Sequence, residues 1–525
     1  MIHASESDKN KKAGKVLENL DKKLFVFIKD EPTVSAMNEN LKPPTGYFKD
    51  AWRRFCKNKS SVFALAVIAL LALFCLFAPL FTPYALTDKE SVYPNKRPYL
   101  AMFAGSGFWD GGRENEFTEG NYDYFRAIAK ETGLNPVIKV RKTYEKVSAG
   151  GKKSMMYRLR IDSYKEVGVV NGLNVSKQLF TDICAYQQET GRQVLYPLVD
   201  TSKLNGFDRG EGGGNFWYEI DAKGRPILDG GEFRPLYLSV PLNSPQSAQY
   251  APYSSKRISQ DDGTYVYGKV NQSGYSTRIC YYEYYRFQRG RYPSYAFGTN
   301  AFGQDMVVAL AKCGGFSLGL ALAVASLNLI IGCVYGAIEG YFGGGVDLAL
   351  ERLTDVLSGI PFTVVVTLFS YHLAAKVGVV VSFLFAFLTT GWISTASLTR
   401  KQFYRFKNRE YVLAARTLGA RDRRLMLKHI FPNAIGTIIT GSVLSIPATI
   451  FSESSLSYLG IINLNTGNMT SVGTLLSGAQ PYLTTYPSMI LFPALFICLL
   501  MLSFNLLGNG LRDAFNPTLK NGEGN

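Results

Sequence analysis

Histidine is nearly missing from this sequence: 525 residues contain three, His3, His372 and His429. No Ser-His-Asp arrangement can be singled out around them, which removes the usual acyl-transfer machinery. A nucleotide-binding loop is missing too. GGKKS at 150–154 lacks the upstream glycine at the required offset and the closing Gly-Lys-Ser/Thr. The seven cysteines include no CxxC spacing, so a zinc pattern is excluded. GFDRGEGGG at 206–214 offers Asp208 and Glu211 but not the spacing of an EF-hand, and reads as a plain loop. No cleavable leader is expected. Residues 1–58 are long and charged, with Lys9, Lys11, Lys12 and Lys15 early, and the first apolar run starts only near Ser61.

What the sequence does contain is basic charge beside long apolar runs. Lysine and arginine number 57 against 41 acids, a net charge of +16. A nucleic-acid partner is disfavoured, because the basic residues crowd next to the apolar runs, as the positive-inside rule requires. The run at 62–81, VFALAVIALLALFCLFAPLF, suffices to cross a hydrocarbon core of about 30 Å. Arg53, Arg54, Lys57 and Lys59 precede it, so the N-terminal flank is expected in the cytoplasm. Further spans are predicted near 314–336, 354–373, 377–398, 434–452 and 488–508, six in all. Gly314, Gly315, Gly319, Ala321, Ala323 and Ala325 in the second read as helix-packing residues. Asp347, Glu351, Arg352 and Asp355 fall around the inner end of the third. Glu339 and Glu453 are expected to be solvated near span ends. With no chain of buried acids, a proton-coupled carrier has little support.

Between the first two spans lies a polar insert, 85–297, rich in glycine and tyrosine. Helices are predicted at 122–131 and 175–189, and strands at 137–144, 155–164, 236–240 and 264–270, enough for one α+β domain. Its position after an outward span places it outside the cell. There Cys184 and Cys280 are either a disulfide or two buried free thiols, and the sequence leaves both open.

The stretch at 410–433, EYVLAARTLGARDRRLMLKHIFPN, is the most informative. Span counting puts it in the cytoplasm. Charge agrees: from Arg400 to Lys428 only Glu410 and Asp422 oppose the basic residues. A helix is predicted over 410–427. Ala414, Ala415 and Gly419 would share one shallow face, and Pro432 would break the pattern. Such a helix suits docking in a groove of another protein.

This stretch resembles the cytoplasmic loop of ABC importer permeases, and closely that of the C-type permease of oligopeptide and dipeptide importers. The family's Glu-Ala-Ala, three residues, Gly is met by Leu413, Ala414, Ala415 and Gly419, with Leu413 replacing the glutamate. Glu410-Tyr411-Val412, Leu418-Gly419-Ala420 and His429-Ile430-Phe431-Pro432-Asn433 also match. GTNAFGQD at 298–305 resembles the family's GTDxxGRD, keeping Gly298, Thr299, Gly303 and Asp305, with Asn300 and Gln304 as departures. NLLGNGLRDAFNP at 505–517 resembles its closing NLLGDGLRDxxDP, with Asn509 and Asn516 replacing acids. The resemblance covers about 45–84 and 297–517 and leaves the insert unexplained.

It implies an α-helical polytopic membrane protein of the type I ABC importer permease fold, with an inserted extracytoplasmic α+β domain. The expected divisions are a cytoplasmic segment 1–60, the first span 61–84, the insert 85–297, the permease core 298–510 with its coupling loop 400–433, and a cytoplasmic tail 511–525. Implied partners are a second, B-type permease subunit, two cytoplasmic ABC ATPases, an extracytoplasmic substrate-binding protein, a peptide substrate and the lipid bilayer of a bacterial inner membrane. No cofactor is expected on this chain, and ATP would be used by the partner subunits. The implied ATPase-coupling residues are Glu410, Ala414, Ala415, Arg416, Gly419, Arg421, Asp422, His429, Pro432 and Asn433. Competing readings are the same machine carrying nickel or another small solute, a membrane-anchored receptor, and an exposed enzyme domain on a membrane stem.

Overall fold

The computed structural model describes residues 47–147, 153–204, 214–221, 224–241, 244–252, 265–464 and 470–515. Most of the GGKKS and GFDRGEGGG stretches, His3, and Asn516 with Pro517 of the closing motif lie outside them. The chain divides into two units, 1–58 and 59–525. In the first, Tyr47–Lys57 is a helix on which Asp50 pairs with Arg54 at 3.0 Å and Trp52 stacks on Phe55.

Among the described residues of the second unit five helices are long and apolar enough to cross a membrane: Lys59–Phe81, Met306–Phe342, Val379–Lys407, Asp422–Tyr458 and Ser488–Phe515. The predicted third span is not one of them. Gly344–Ser358 and Phe362–His372 meet at a 74° bend, and they make a sixth crossing only if counted together. Pro361 explains the break, since it disfavours helical geometry at Ile360 before it. At 1.5 Å per residue each half is shorter than the roughly 30 Å hydrocarbon core.

Small residues do line the second span, and the close approaches to another helix's backbone lie further along than the predicted residues. Gly332, Gly336 and Gly340 form a ridge at four-residue spacing. A Cβ on Gly336 would lie 2.1 Å from the Ala396 carbonyl, and one on Gly340 2.7 Å from that of Arg400. Gly314 contacts Phe496 and Cys75 closely, whereas Gly319 faces open space.

The two acids expected in solvent are buried. Glu339 is 3% exposed and lies 3.6 Å from Arg400. Glu453 is 1% exposed and accepts hydrogen bonds from Ser317, Ser454 and Ser457. Polar partners from neighbouring helices make that burial tolerable.

The insert is α+β. Gly112–Thr118, Lys153–Asp162 and Val137–Val147 form an antiparallel three-stranded sheet with the middle named strand central, and Glu119–Thr132 packs on it. A second sheet orders Val169–Val175, Gly274–Cys280, Val266–Asn271 and Tyr250–Pro252, with Leu195–Tyr196 also paired to Gly274–Cys280. Helices Lys177–Thr190 and Tyr281–Arg289 pack beside it. Residues 236–240 make only isolated bridges, Val199 to Tyr237 and Ser239 to Tyr265, not a strand. The core is tyrosine-rich, and several of its phenols find partners, as is usual for buried hydroxyls: Tyr281 donates to Glu90 and Tyr164 to the Arg97 carbonyl, whereas the buried Tyr93 hydroxyl makes no hydrogen bond among the described residues. Arg278 and Glu131, both wholly buried, pair at 2.9 Å. Cys184 and Cys280 are not joined in a disulfide, the first lying on a helix and the second at a strand end.

Candidate functional site

The basic stretch after the Val379–Lys407 helix folds differently from the predicted single helix. After Arg409 in an extended conformation, Glu410–Thr417 makes only two turns of helix. Val412 is fully buried and Ala415 half-buried, packed with Ala337, Tyr341, Phe403, Leu425 and Ile430. Glu410, Tyr411, Leu413, Ala414 and Arg416 are exposed.

The helix ends at Gly419, whose φ is +82°. The Gly419 N–H donates to the Arg416 carbonyl and the Ala420 N–H to that of Ala415. This pair of bonds is a Schellman motif, in which the residue after the cap is left-handed and glycine is favoured. Ala415 and Ala420 supply the apolar contact that accompanies it. Gly419 therefore does not share a helical face with Ala414 and Ala415. The termination also pushes Leu418 out into solvent, 88% exposed.

The chain restarts as helix at Asp422–Arg424, widens to a π-type turn at Leu425–Ile430, and continues as Phe431–Val443. Pro432 does not break it. The proline lies inside the continuous Asp422–Tyr458 helix, directly after the wider π-type turn, where the regular hydrogen-bond ladder is already altered. The Asn433 side chain instead donates to the His429 carbonyl at 2.8 Å and contacts the Tyr411 hydroxyl at 3.3 Å. It thus ties the restarted helix to the short one. Arg421 sits extended just before Asp422, and Arg421, Arg423 and Arg424 are exposed.

Two clusters fasten this segment to the bundle. Tyr341, in the last turn of Met306–Phe342, donates to Asp422 at 2.5 Å and accepts from Arg416 at 3.4 Å. Arg400, one helix earlier, forks onto Asp347 at 2.6 Å and Glu351 at 2.7 Å, with Glu339 behind. Tyr404 also donates to Asp347, and Lys407 to the Gly340 carbonyl. The broken third crossing is thereby clasped to the second and fourth. Tyr341 thus joins the segment around the short helix to the end of the second span.

The residues of 298–305 form a separate site at the other end of that 37-residue helix, about 55 Å away at 1.5 Å per residue. Gly298 and Gly303 have φ of +78° and +73° and lie against backbone of Lys96 and Glu90, where a Cβ would clash. Thr299 donates to the Tyr93 carbonyl and accepts from the Lys96 N–H. Asp305 caps the helix through the Val307 N–H. Asn300 accepts from the Phe302 and Gln304 N–H groups and donates to the Gln304 side chain, so the two departures from the family pattern partner each other. This turn pins the segment after the first span onto the second. Tyr341, Arg400 and Leu418 were not singled out as site residues from sequence; reading Gly419 as a helix terminator is the signal that points to Leu418.

A family model described as "Binding-protein-dependent transport system inner membrane component" matches residues 328–521. A second, "N-terminal TM domain of oligopeptide transport permease C", matches 46–98. Residues 99–327 lie between the two matches. An oligopeptide transport system permease protein, OppC, of Bacillus subtilis is 41% identical over 224 residues, covering 43% of this chain and 72% of that protein. OppC of Haemophilus influenzae is 38% identical, covering 42% of this chain and 70% of its own length. A dipeptide transport system permease protein, DppC, of Bacillus subtilis is 36% identical, covering 43% and 69%.

Proposed function

The chain belongs to the OppC and DppC family of transport permeases, and we propose that it is the permease subunit of an ATP-driven peptide importer whose coupling element is the 410–433 segment. The observation that carries the coupling assignment is the short Glu410–Thr417 helix, which presents Tyr411, Leu413, Ala414 and Leu418 outward while Tyr341 links its base to a span. An exposed apolar anchor ringed by arginines suits a groove with an acidic rim. ATP-driven closure of two partner ATPases would move this helix as a rigid body and switch the bundle between inward and outward states. A B-type permease would complete the pathway, and an external binding protein would deliver substrate.

In this reading both termini are cytoplasmic and the insert is extracytoplasmic, at the mouth of the pathway. The basic flanks at 53–59 and 400–428 support that orientation. Protease added to intact spheroplasts should cut within the insert; cleavage only from the cytoplasmic side would sink the topology. For the docking face, Leu418→Asp should leave insertion intact. It should weaken co-purification with the ATPases by roughly tenfold or more, the weight of one interface anchor, and depress transport with it. Unaltered co-purification and transport overturn the assignment.

A further inference from the structure

A cavity of about 980 Å³ lies between residues 85–89, the 300–304 turn, the first two turns of Met306–Phe342, and residues 457–463 and 470–479. Its lining carries two charged side chains, Lys89 and Lys312, both positive. No acid lines it among the described residues, and the sequence between Asn463 and Thr470 contains none. Both lysines are exposed, and neither has a carboxylate partner among the described residues. Lys89 lies 5.7 Å over the Phe302 ring. Glu453, which bonds Ser457 of the wall, is not itself part of the lining. It is buried, and its oxygens accept from serines.

Lys312 stands near the end of a spanning helix, and an ammonium there with no carboxylate partner among the described residues is a candidate functional group. Two cations in a concave wall with hydroxyls such as Thr470 and Ser477 repel a metal ion and attract an anion. We propose that this cavity receives a carboxylate of the transported solute, with Lys89 and Lys312 as its two cations. Resting on the peptide-import reading, that solute is a peptide and the group its C-terminal carboxylate. The cavity then selects against cationic cargo at the mouth of the pathway.

The test uses the complete transporter in vesicles of zwitterionic lipid, supplied with a tripeptide and with the same tripeptide as its C-terminal amide. The same binding protein serves every variant, so its own preference cancels in the comparison. Lys312→Gln should cut the acid-over-amide uptake ratio roughly tenfold or more, as expected for a lost charged hydrogen bond, and Lys312→Arg should keep it. If Lys312→Gln does not insert, Lys89→Gln, outside the span, gives the same readout. An equal ratio in wild type and variant overturns the cavity assignment alone. A change that appears only when anionic lipid is added assigns the lysines to headgroups and also overturns it. If wild-type protein imports neither peptide, the peptide reading itself falls, and the assignment with it.

Discussion

Gly419 distinguishes two accounts of the coupling segment. If its role is close approach on a helical face, function should fall with side-chain volume, in the order Ala, Asn, Val. If its role is the left-handed end of the Glu410–Thr417 helix, the order of Ala and Asn reverses. The φ of +82° puts it in the left-handed region, and a Cβ added there meets no atom within 4 Å. The intrachain cost is therefore one of backbone conformation alone. That cost is about 1–2 kcal/mol for an ordinary L-residue and smaller for asparagine. The reduced freedom of the unfolded chain returns about 0.4–1 kcal/mol. Gly419→Ala should then loosen the helix end by about 1 kcal/mol, roughly a fivefold rise in local opening. Gly419→Asn should do less and Gly419→Val more. Hydrogen exchange of the Gly419 and Ala420 amides, which close the motif, measures this directly. Transport by the same variants in the assembled importer should follow the same order. A ranking in which Asn is worse than Ala in both measurements would refute the conformational account and restore docking volume as the cause.

Replacing Arg400 with Gln leaves Asp347, Glu351 and the buried Glu339 facing one another. The expected loss is about 2–4 kcal/mol, read as a lower Tm in detergent, and an unchanged Tm would remove the clasp. In the insert, burial works against ionisation of Asp110, but hydrogen bonds from Arg160 and from the Gly112 and Gly107 N–H groups outweigh it and hold the carboxyl below its ordinary range. The unfolded chain therefore takes up the proton first. The stability gained is full above the unfolded value of about 3.9 and is lost as pH falls through the lower folded value. Asp110→Asn should flatten the acid limb of the insert's unfolding, and an acid limb as steep as wild type counts against the pair. All seven cysteines are free in the structure, so unfolding without reductant should expose seven alkylatable thiols; five would mean that one pair is bonded.

Much of the bundle was legible from one-dimensional signals. The first span, predicted at 62–81, is helix from Lys59 to Phe81, because a continuous apolar run has no alternative in a bilayer. The run at 354–373 is more polar and contains Gly359, Ile360 and Pro361, where backbone restriction breaks the helix. In the insert, helices 122–131 and 175–189 and the hairpin strands near 137–144 and 155–164 lie within a few residues of the observed elements. The Tyr281–Arg289 helix did not register, because YYEYYRFQR has the aromatic content of a strand. Its helical state is set by tertiary burial of four tyrosines.

The candidate site divides in the same way. Its place in the chain follows from charge and spans, but Tyr341 lies 81 residues before Asp422 and Arg400 lies 53 after Asp347, and no periodicity reports such partners. The motif itself was legible but its geometry was misread. Ala415 and Gly419 are four apart, which is both the spacing of helical neighbours and the separation between the C3 position of a Schellman motif and its left-handed residue. Only backbone φ separates these alternatives. Once Gly419 is the terminator, the pattern no longer describes a smooth face made of small residues. It describes a stop that faces Ala415 inward and turns Leu418 outward. The residues best placed to meet a partner are then Leu413, Ala414 and Leu418, two of which the small-residue pattern does not contain.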